Sequence, residues 1–220
     1  MRGRPAAAGG AGSSPRWGVL GGTFDPVHYG HLVIAEQTRE SLDLAGVLFL
    51  PAAQPPHKTA VRISAAEHRL AMVELAIAGN PGFALLRSEI ERGGRSYTVE
   101  TMGRLTSERP ADRFVFIVST EAALDLPTWR EPRRLLELCE IAVVPRLGYP
   151  LVDAAWPTRH FPGLEDRFLF VDSPALGHSA SDIRARAAAG RTIRYLVPAV
   201  VQAYIDQHRL YREADERPAT

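Results

Sequence analysis

Residues 18–31, GVLGGTFDPVHYGH, constrain the fold of this chain more than any other stretch. An apolar run over residues 17–20 breaks at Gly21 and Gly22, and His28 and His31 follow three residues apart. The run reads as a short buried strand. The two glycines end it with residues that accept positive φ and let backbone approach a ligand. No Gly or Pro stands between His31 and Leu42, so a helix is expected over residues 29–42, although Leu32, Ile34, Ala35 and Leu42 fit the helical period imperfectly. Both histidines then fall in its first turn. Unpaired N–H groups and the positive end of the helix macrodipole favour a phosphate there. The imidazoles of His28 and His31 add side-chain donors, and Gly30 leaves room for a ligand to reach the backbone.

The rest of the chain alternates between strand and helix patterns. Residues 46–50 form a second apolar run, and the loop AAQPPHK after it, stiffened by Pro55 and Pro56, ends in His57 and Lys58. Loops leaving the carboxyl ends of parallel strands form the ligand crevice of doubly wound sheets, which places this pair beside the histidines if the two strands are neighbours. Ser64-Ala-Ala-Glu67 has the spacing of a capping box and predicts a packing helix ending near Gly79. A brief strand over 83–86 precedes a charged turn at 89–94 and a helix whose start gathers the hydroxyls of Ser96, Tyr97, Thr98 and Thr101. FVFIV at 114–118 is apolar throughout, as a central strand covered on both faces would be. Ser119 and Glu121 follow it, and Trp129 lies beyond a short helical turn, where its indole can fill a gap or stack on an aromatic ring. A helix over 131–138 and strands over 141–144 and 168–171 come next, with no readable pattern between 145 and 167. In HSASDIR, the helix-start candidates Ser179 and Ser181 stand with Arg184 just inside a helix and together offer hydroxyl, backbone and guanidinium donors to one anion. Pro198 opens the last helix.

These patterns define an α/β fold: a Rossmann-like, doubly wound, mainly parallel sheet over residues 16–176, with a small C-terminal helical subdomain over 177–211. A length of 220 residues suits one such domain with a sizeable core. A formal net charge of +1 gives no electrostatic case for nucleic acid or a membrane surface. The one cysteine, Cys139, excludes an intrachain disulfide and suits a reducing cytoplasm. Residues 1–15 are too small and glycine-rich to offset their ordering entropy by burial and are expected to be disordered; residues 212–220 are expected to fray. Neither a signal-type apolar stretch nor a membrane-spanning run occurs, so the chain reads as cytoplasmic. The first turn lacks G-x-G-x-x-G and no G-x-x-x-x-G-K-[ST] occurs, which removes the usual warrants for dinucleotide redox chemistry and P-loop hydrolysis.

His28 to His31 is an H-x-G-H sequence, the signature of the nucleotidyltransferase superfamily, and GGTFDPVHYGH closely resembles the opening of bacterial nicotinate mononucleotide adenylyltransferases. PPHK, SYTVET, LPTW and HSASDIR resemble further motifs of that family in the same order, and the likeness runs from Trp17 to Tyr211. The resemblance implies transfer of the adenylyl group of ATP to nicotinate mononucleotide, with pyrophosphate as the other product. It implies catalytic roles for His28, His31, Lys58 and Arg184. ATP would meet Gly21, Gly22, Thr23, Phe24, His28, Gly30, His31, Ser119, Glu121, Ser179, Ser181 and Arg184. The acceptor would meet His57, Lys58, Tyr97, Thr98 and Trp129, the last stacking on the pyridine ring. Mg²⁺ would enter with ATP, bound largely through phosphates and water, with no dedicated metal ligands in the chain. A homo-oligomer is compatible with the sequence. Ser119 and Glu121 stand where the family has Gly and Asp, and their larger side chains are expected to crowd the ribose; His178 and Ala180 also depart from its pattern. Transfer to another acceptor, nicotinamide mononucleotide or phosphopantetheine, and nucleotide binding without catalysis are the alternative readings.

Overall fold

The computed structural model describes residues 14–54, 63–174, 177 and 179–212. His57, Lys58 and His178, together with residues 1–13 and 213–220 of the tails expected over 1–15 and 212–220, lie outside the described residues.

The apolar runs form six strands: β1 (Arg16–Gly22), β2 (Gly46–Pro51), β3 (Phe83–Leu85), β4 (Arg113–Ser119), β5 (Glu140–Val144) and β6 (Phe168–Phe170). Between and after them run helices α1 (Tyr29–Ser41), α2 (Ala66–Ile77), α3 (Ser88–Arg92), α4 (Thr98–Glu108), α5 (Thr120–Asp125), α6 (Pro132–Leu138), α7 (Trp156–His160), α8 (Ala180–Ala188) and α9 (Ala199–Gln207). All strand pairs are parallel, in the order β3-β2-β1-β4-β5-β6. The chain therefore winds outward from β1 in one direction and then, through β4, in the other. The reversal between β1 and β4 opens a crevice at their carboxyl ends.

Strands buried on both faces need no polar alternation, and β2 and most of β4 show none. One core layer joins Trp17, Val19, Phe114 and Phe116 to Val99, Met102 and Leu105 of α4 and Leu135 and Leu136 of α6. The other joins Leu20, Val47, Phe49 and Ile117 to Ala35 of α1, Met72 and Val73 of α2, Ile183 of α8, and Val201 and Ile205 of α9. The C-terminal helices thus share the core of the sheet.

Several local expectations change. Gly21 and Gly22 continue β1 without positive φ; the left-handed residue is Phe24, with φ 51°. Glycine is needed there for space, since a Cβ on Gly21 would stand 2.9 Å from the Phe116 ring. The capping box at Ser64 does not form. Ala65 is the N-cap of α2, and the Ser64 N–H donates instead to Asp25 Oδ2 at 3.0 Å. That helix ends with Ala78 as C-cap, short of Gly79. Residues 89–94 are not a simple turn: α3 occupies most of them, and Gly93 and Gly94 then turn the chain at φ 70° and 71°. The unread stretch after β5 contains α7, whose Trp156 packs on Phe161 and Phe168. Pro15, placed in the N-terminal tail, has its carbonyl bonded by the Arg113 N–H at 2.9 Å. Among the described residues no helix is long and apolar enough to cross a membrane.

Candidate active site

The crevice at the carboxyl ends of β1, β2, β4 and β5 has a volume of about 730 Å³. One wall is the start of α1. His28 is its N-cap in extended backbone, and its N–H donates to His31 Nδ1 at 3.2 Å. A backbone N–H can only donate, so His31 Nδ1 carries a lone pair and the neutral ring bears its proton on Nε2. The two imidazoles stack, centroids 3.7 Å apart, and the edge of the buried Phe24 ring meets His31 at 4.9 Å. Two rings thus hold His31 in one orientation. The first turn of α1 carries no acidic residue, so nothing there offsets the positive end of its dipole. The Tyr29 N–H, which follows His28, is bonded to the Leu196 carbonyl at 3.1 Å.

Gly21, Gly22, Thr23, His28, Gly30 and His31 line the crevice, as do Ser119, Ser179 and Ser181. Ser119 caps α5 and Ser179 caps α8, each through a side-chain oxygen that accepts a backbone N–H at 3.4 Å. Phe24, Glu121 and Arg184 are not among the lining residues. Phe24 is buried behind the histidines. Arg184 reaches back to the loop after β1, donating from Nη1 to the Asp25 carbonyl at 2.7 Å and from Nη2 to Ser181 Oγ at 3.2 Å. Glu121 is turned outward and bonded to Arg146 and Tyr149. Of the two residues larger than the family's, only Ser119 lines the crevice.

The opposite wall carries Tyr97, Thr98 and Trp129. Tyr97 is the N-cap of α4, and the half-buried Trp129 stands edge-on to Phe116, centroids 6.2 Å apart. The Arg130 guanidinium lies 4.7 Å from the centre of the Tyr97 ring. Ser96 Oγ accepts the Ala53 N–H at 2.9 Å and so joins this wall to the chain leaving β2.

Sequence reasoning passed over three polar residues. Glu89 lines the wall that carries Tyr97, is 4% exposed, and accepts the Thr101 hydroxyl at 2.6 Å. Arg146 lines the crevice beyond β5, and Arg69 is buried beneath it. Nothing in their spacing marks them, because a charge within a helix or a charged turn reads as a solvated face. Among the described residues no group of three or more His, Cys, Asp or Glu could hold a metal ion.

A parallel sheet of this order, with an H-x-G-H helix start facing the crevice at its reversal point, defines a nucleotidyltransferase-type α/β protein. Residues 19–186 match the cytidylyltransferase-like family. The chain is 46% identical over 200 residues to a protein of Thermomicrobium roseum named probable nicotinate-nucleotide adenylyltransferase, covering 91% of this chain and 93% of that one. It is 44% identical over 197 residues to a protein of the same name from Thermus thermophilus, covering 90% and 100%. The chain belongs to the nicotinate-nucleotide adenylyltransferase family within the cytidylyltransferase-like proteins. The fold is shared with Plasmodium falciparum nicotinic acid mononucleotide adenylyltransferase in complex with NaAD, at TM-score 0.75 and 18% identity over 90% of this chain and 97% of that one.

Proposed function

We propose that this protein transfers the adenylyl group of ATP to nicotinate mononucleotide, giving nicotinate adenine dinucleotide and pyrophosphate in NAD biosynthesis. The observation that carries the reading is the two-walled crevice: stacked histidines at a helix start on one side, Tyr97 and Trp129 on the other. A phosphate oxygen of the mononucleotide attacks the α-phosphorus of ATP in line, and the bond from that phosphorus to the β-bridging oxygen breaks. The nucleophile is already anionic, so the protein has no proton to remove. Its work is to bring two anions together and stabilise the charge on the transferring group and on the departing pyrophosphate.

His28 and His31 are the donors at the reacting phosphate, His31 through Nε2–H. Gly21, Gly22, Thr23 and Gly30 let the nucleotide approach the backbone, and Ser119, Ser179 and Ser181 bound its far side. Arg184 acts from behind, fixing the phosphate loop through the Asp25 carbonyl. Trp129 stacks on the pyridine ring, and Tyr97 and Thr98 at the start of α4 meet its carboxylate. His57 and Lys58 are assigned to the acceptor and to ATP phosphates on their sequence motif. A divalent cation, Mg²⁺, arrives with ATP as part of the substrate. The cytoplasm, where ATP is plentiful, is the compartment that suits this reaction.

The test is pyrophosphate release from ATP and Mg²⁺ with each acceptor in turn. Release with nicotinate mononucleotide and little with nicotinamide mononucleotide or phosphopantetheine is expected. Preference for another acceptor would reassign the substrate, and ATP binding without release would leave a binding module.

A further inference from the structure

Arg69 on α2 is 2% exposed and has no place in the chemistry above. Its guanidinium donates from Nη1 to the carbonyls of Thr23 at 3.0 Å and Ala52 at 2.7 Å. Nη2 donates to the Ala53 carbonyl at 3.2 Å, and Nε to the Ser64 carbonyl at 3.1 Å. All four acceptors belong to irregular backbone: Thr23 follows β1, Ala52 and Ala53 follow β2, and Ser64 precedes α2. Thr23 and Ala52 line the crevice.

The two walls of the site stand on separate parts of the chain, and Arg69 is bonded to both. Toward the histidines it holds Thr23, which opens the loop leading to His28. Toward the acceptor it holds Ala53, whose N–H is bonded to Ser96 Oγ, while the Ser96 N–H returns to the Gln54 carbonyl at 3.2 Å. Tyr97 and Thr98 come next in the chain. Asp25, buried beside the guanidinium, completes the network by accepting the Ser64 N–H at 3.0 Å and the Tyr211 hydroxyl at 2.7 Å. Burial draws the Arg69 guanidinium below its usual pKa range against the pull of Asp25, and burial beside Asp25 pushes the Tyr211 phenol up.

A well-packed apolar side chain often serves stability in such a place as well as a buried ion does. What a guanidinium adds is a rigid fork of donors that fixes several carbonyls at set angles. We infer, resting on the adenylyl-transfer reading, that Arg69 is a positioning residue that sets the distance between the histidine wall and the acceptor wall of the crevice. Each wall keeps its own contacts when Arg69 is lost. The β1–β2 ladder, extended by the Ala52 N–H on the Gly22 carbonyl at 2.9 Å, still aligns the strand ends; the loops beyond them lose their fixed register, and that register is what the in-line attack requires.

Arg69→Met and Arg69→Lys test this in the full chain, below the unfolding temperature of each variant, with wild type alongside. In Arg69→Met, kcat is expected to fall about 10- to 100-fold, the scale of a small misplacement of reacting groups. The dissociation constants of ATP and nicotinate mononucleotide, each titrated alone by calorimetry, should stay within about threefold of wild type, because each wall is intact. Arg69→Lys, which keeps the charge and some donors, should fall between. If Arg69→Met does not fold, Arg69→Lys decides: reduced kcat with unchanged single-substrate affinities supports positioning. Wild-type kcat per folded molecule, or equal weakening of both affinities, overturns it. An inactive wild type would overturn the adenylyl-transfer reading and this inference with it, whereas an active wild type with wild-type-like variants overturns the inference alone.

Discussion

Glu121 and Arg146 form an ion pair at the lip of the crevice, Arg146 Nη1 2.6 Å from Glu121 Oε2, and the Tyr149 hydroxyl donates to the other carboxylate oxygen at 2.7 Å. The hydrogen bond to Glu121 holds the Tyr149 phenol above its usual pKa range. Arg146 faces the crevice and Glu121 does not, so the carboxylate partly neutralises a cation that a polyphosphate would meet.

Glu121→Gln should therefore tighten ATP binding, by about two- to fivefold at low salt, the range expected of an exposed pair. Calorimetry at two ionic strengths checks it, since screening should shrink the gain as salt rises. Weaker binding in the variant would mean that Glu121 swings inward to contact the nucleotide sugar.

His31→Ala should lower kcat by roughly 100- to 1000-fold, the usual loss of one preorganised donor at a developing charge. The fold should persist, because His31 sits at a helix start and its deletion leaves the sheet and both core layers in place. Circular dichroism and pyrophosphate release on the same sample decide it; near-wild-type turnover in a folded variant removes His31 from the chemistry.

Trp129→Ala should raise the KM for nicotinate mononucleotide far more than that for ATP. Stacking of a base on an aromatic side chain is worth about 1 to 3 kcal/mol in nucleic-acid sites, which corresponds to roughly 5- to 150-fold in affinity. Because Trp129 also packs on Phe116, a general loosening would raise both constants alike, and that result would count against stacking.

Much of this was legible before the structure because the informative signals are local. The strand-glycine-histidine phrase of β1 and α1 and the apolar run of β4 each carry their meaning within about fifteen residues. Arg69 and Asp25 do not. Their partners are backbone carbonyls and amides up to 46 positions away, and Tyr211 meets Asp25 across 186. Glu121 illustrates the converse. Its motif position suggested a nucleotide contact, but the residues that turn it outward, Arg146 and Tyr149, lie beyond the next strand. The capping box at Ser64 failed for the same reason, as Asp25 captures its N–H first.

Cys139 should be inert to alkylation in the folded protein. It is 3% exposed, and burial pushes its thiol up to about 12, so almost none of it carries the reactive thiolate at pH 8. Iodoacetamide labelling followed by mass spectrometry should rise only as denaturant unfolds the sheet. Rapid labelling without denaturant would show that the layer between α6 and β5 opens locally.

Gly46 and Gly103 should respond to alanine in opposite directions. A Cβ on Gly46, at the start of β2, would stand 2.6 Å from the Trp17 ring and 2.7 Å from the Gly82 carbonyl oxygen. The carbonyl is backbone already bonded by the Val47 N–H at 2.8 Å, and Trp17 is fully buried, so neither can yield cheaply. Overpacking of this kind destabilises by about 1 to 3 kcal/mol. Gly103 lies inside α4, where an added Cβ would find only Leu138 at an ordinary 3.8 Å. The substitution there removes the helix penalty of glycine and should stabilise by about 0.5 to 1 kcal/mol. Both sites are remote from the crevice lining, so kcat per folded molecule should not change in either variant. Urea melts monitored by tryptophan fluorescence give the two signs. A destabilised Gly103→Ala protein would show that α4 cannot keep its distance from α6 with the extra methyl group.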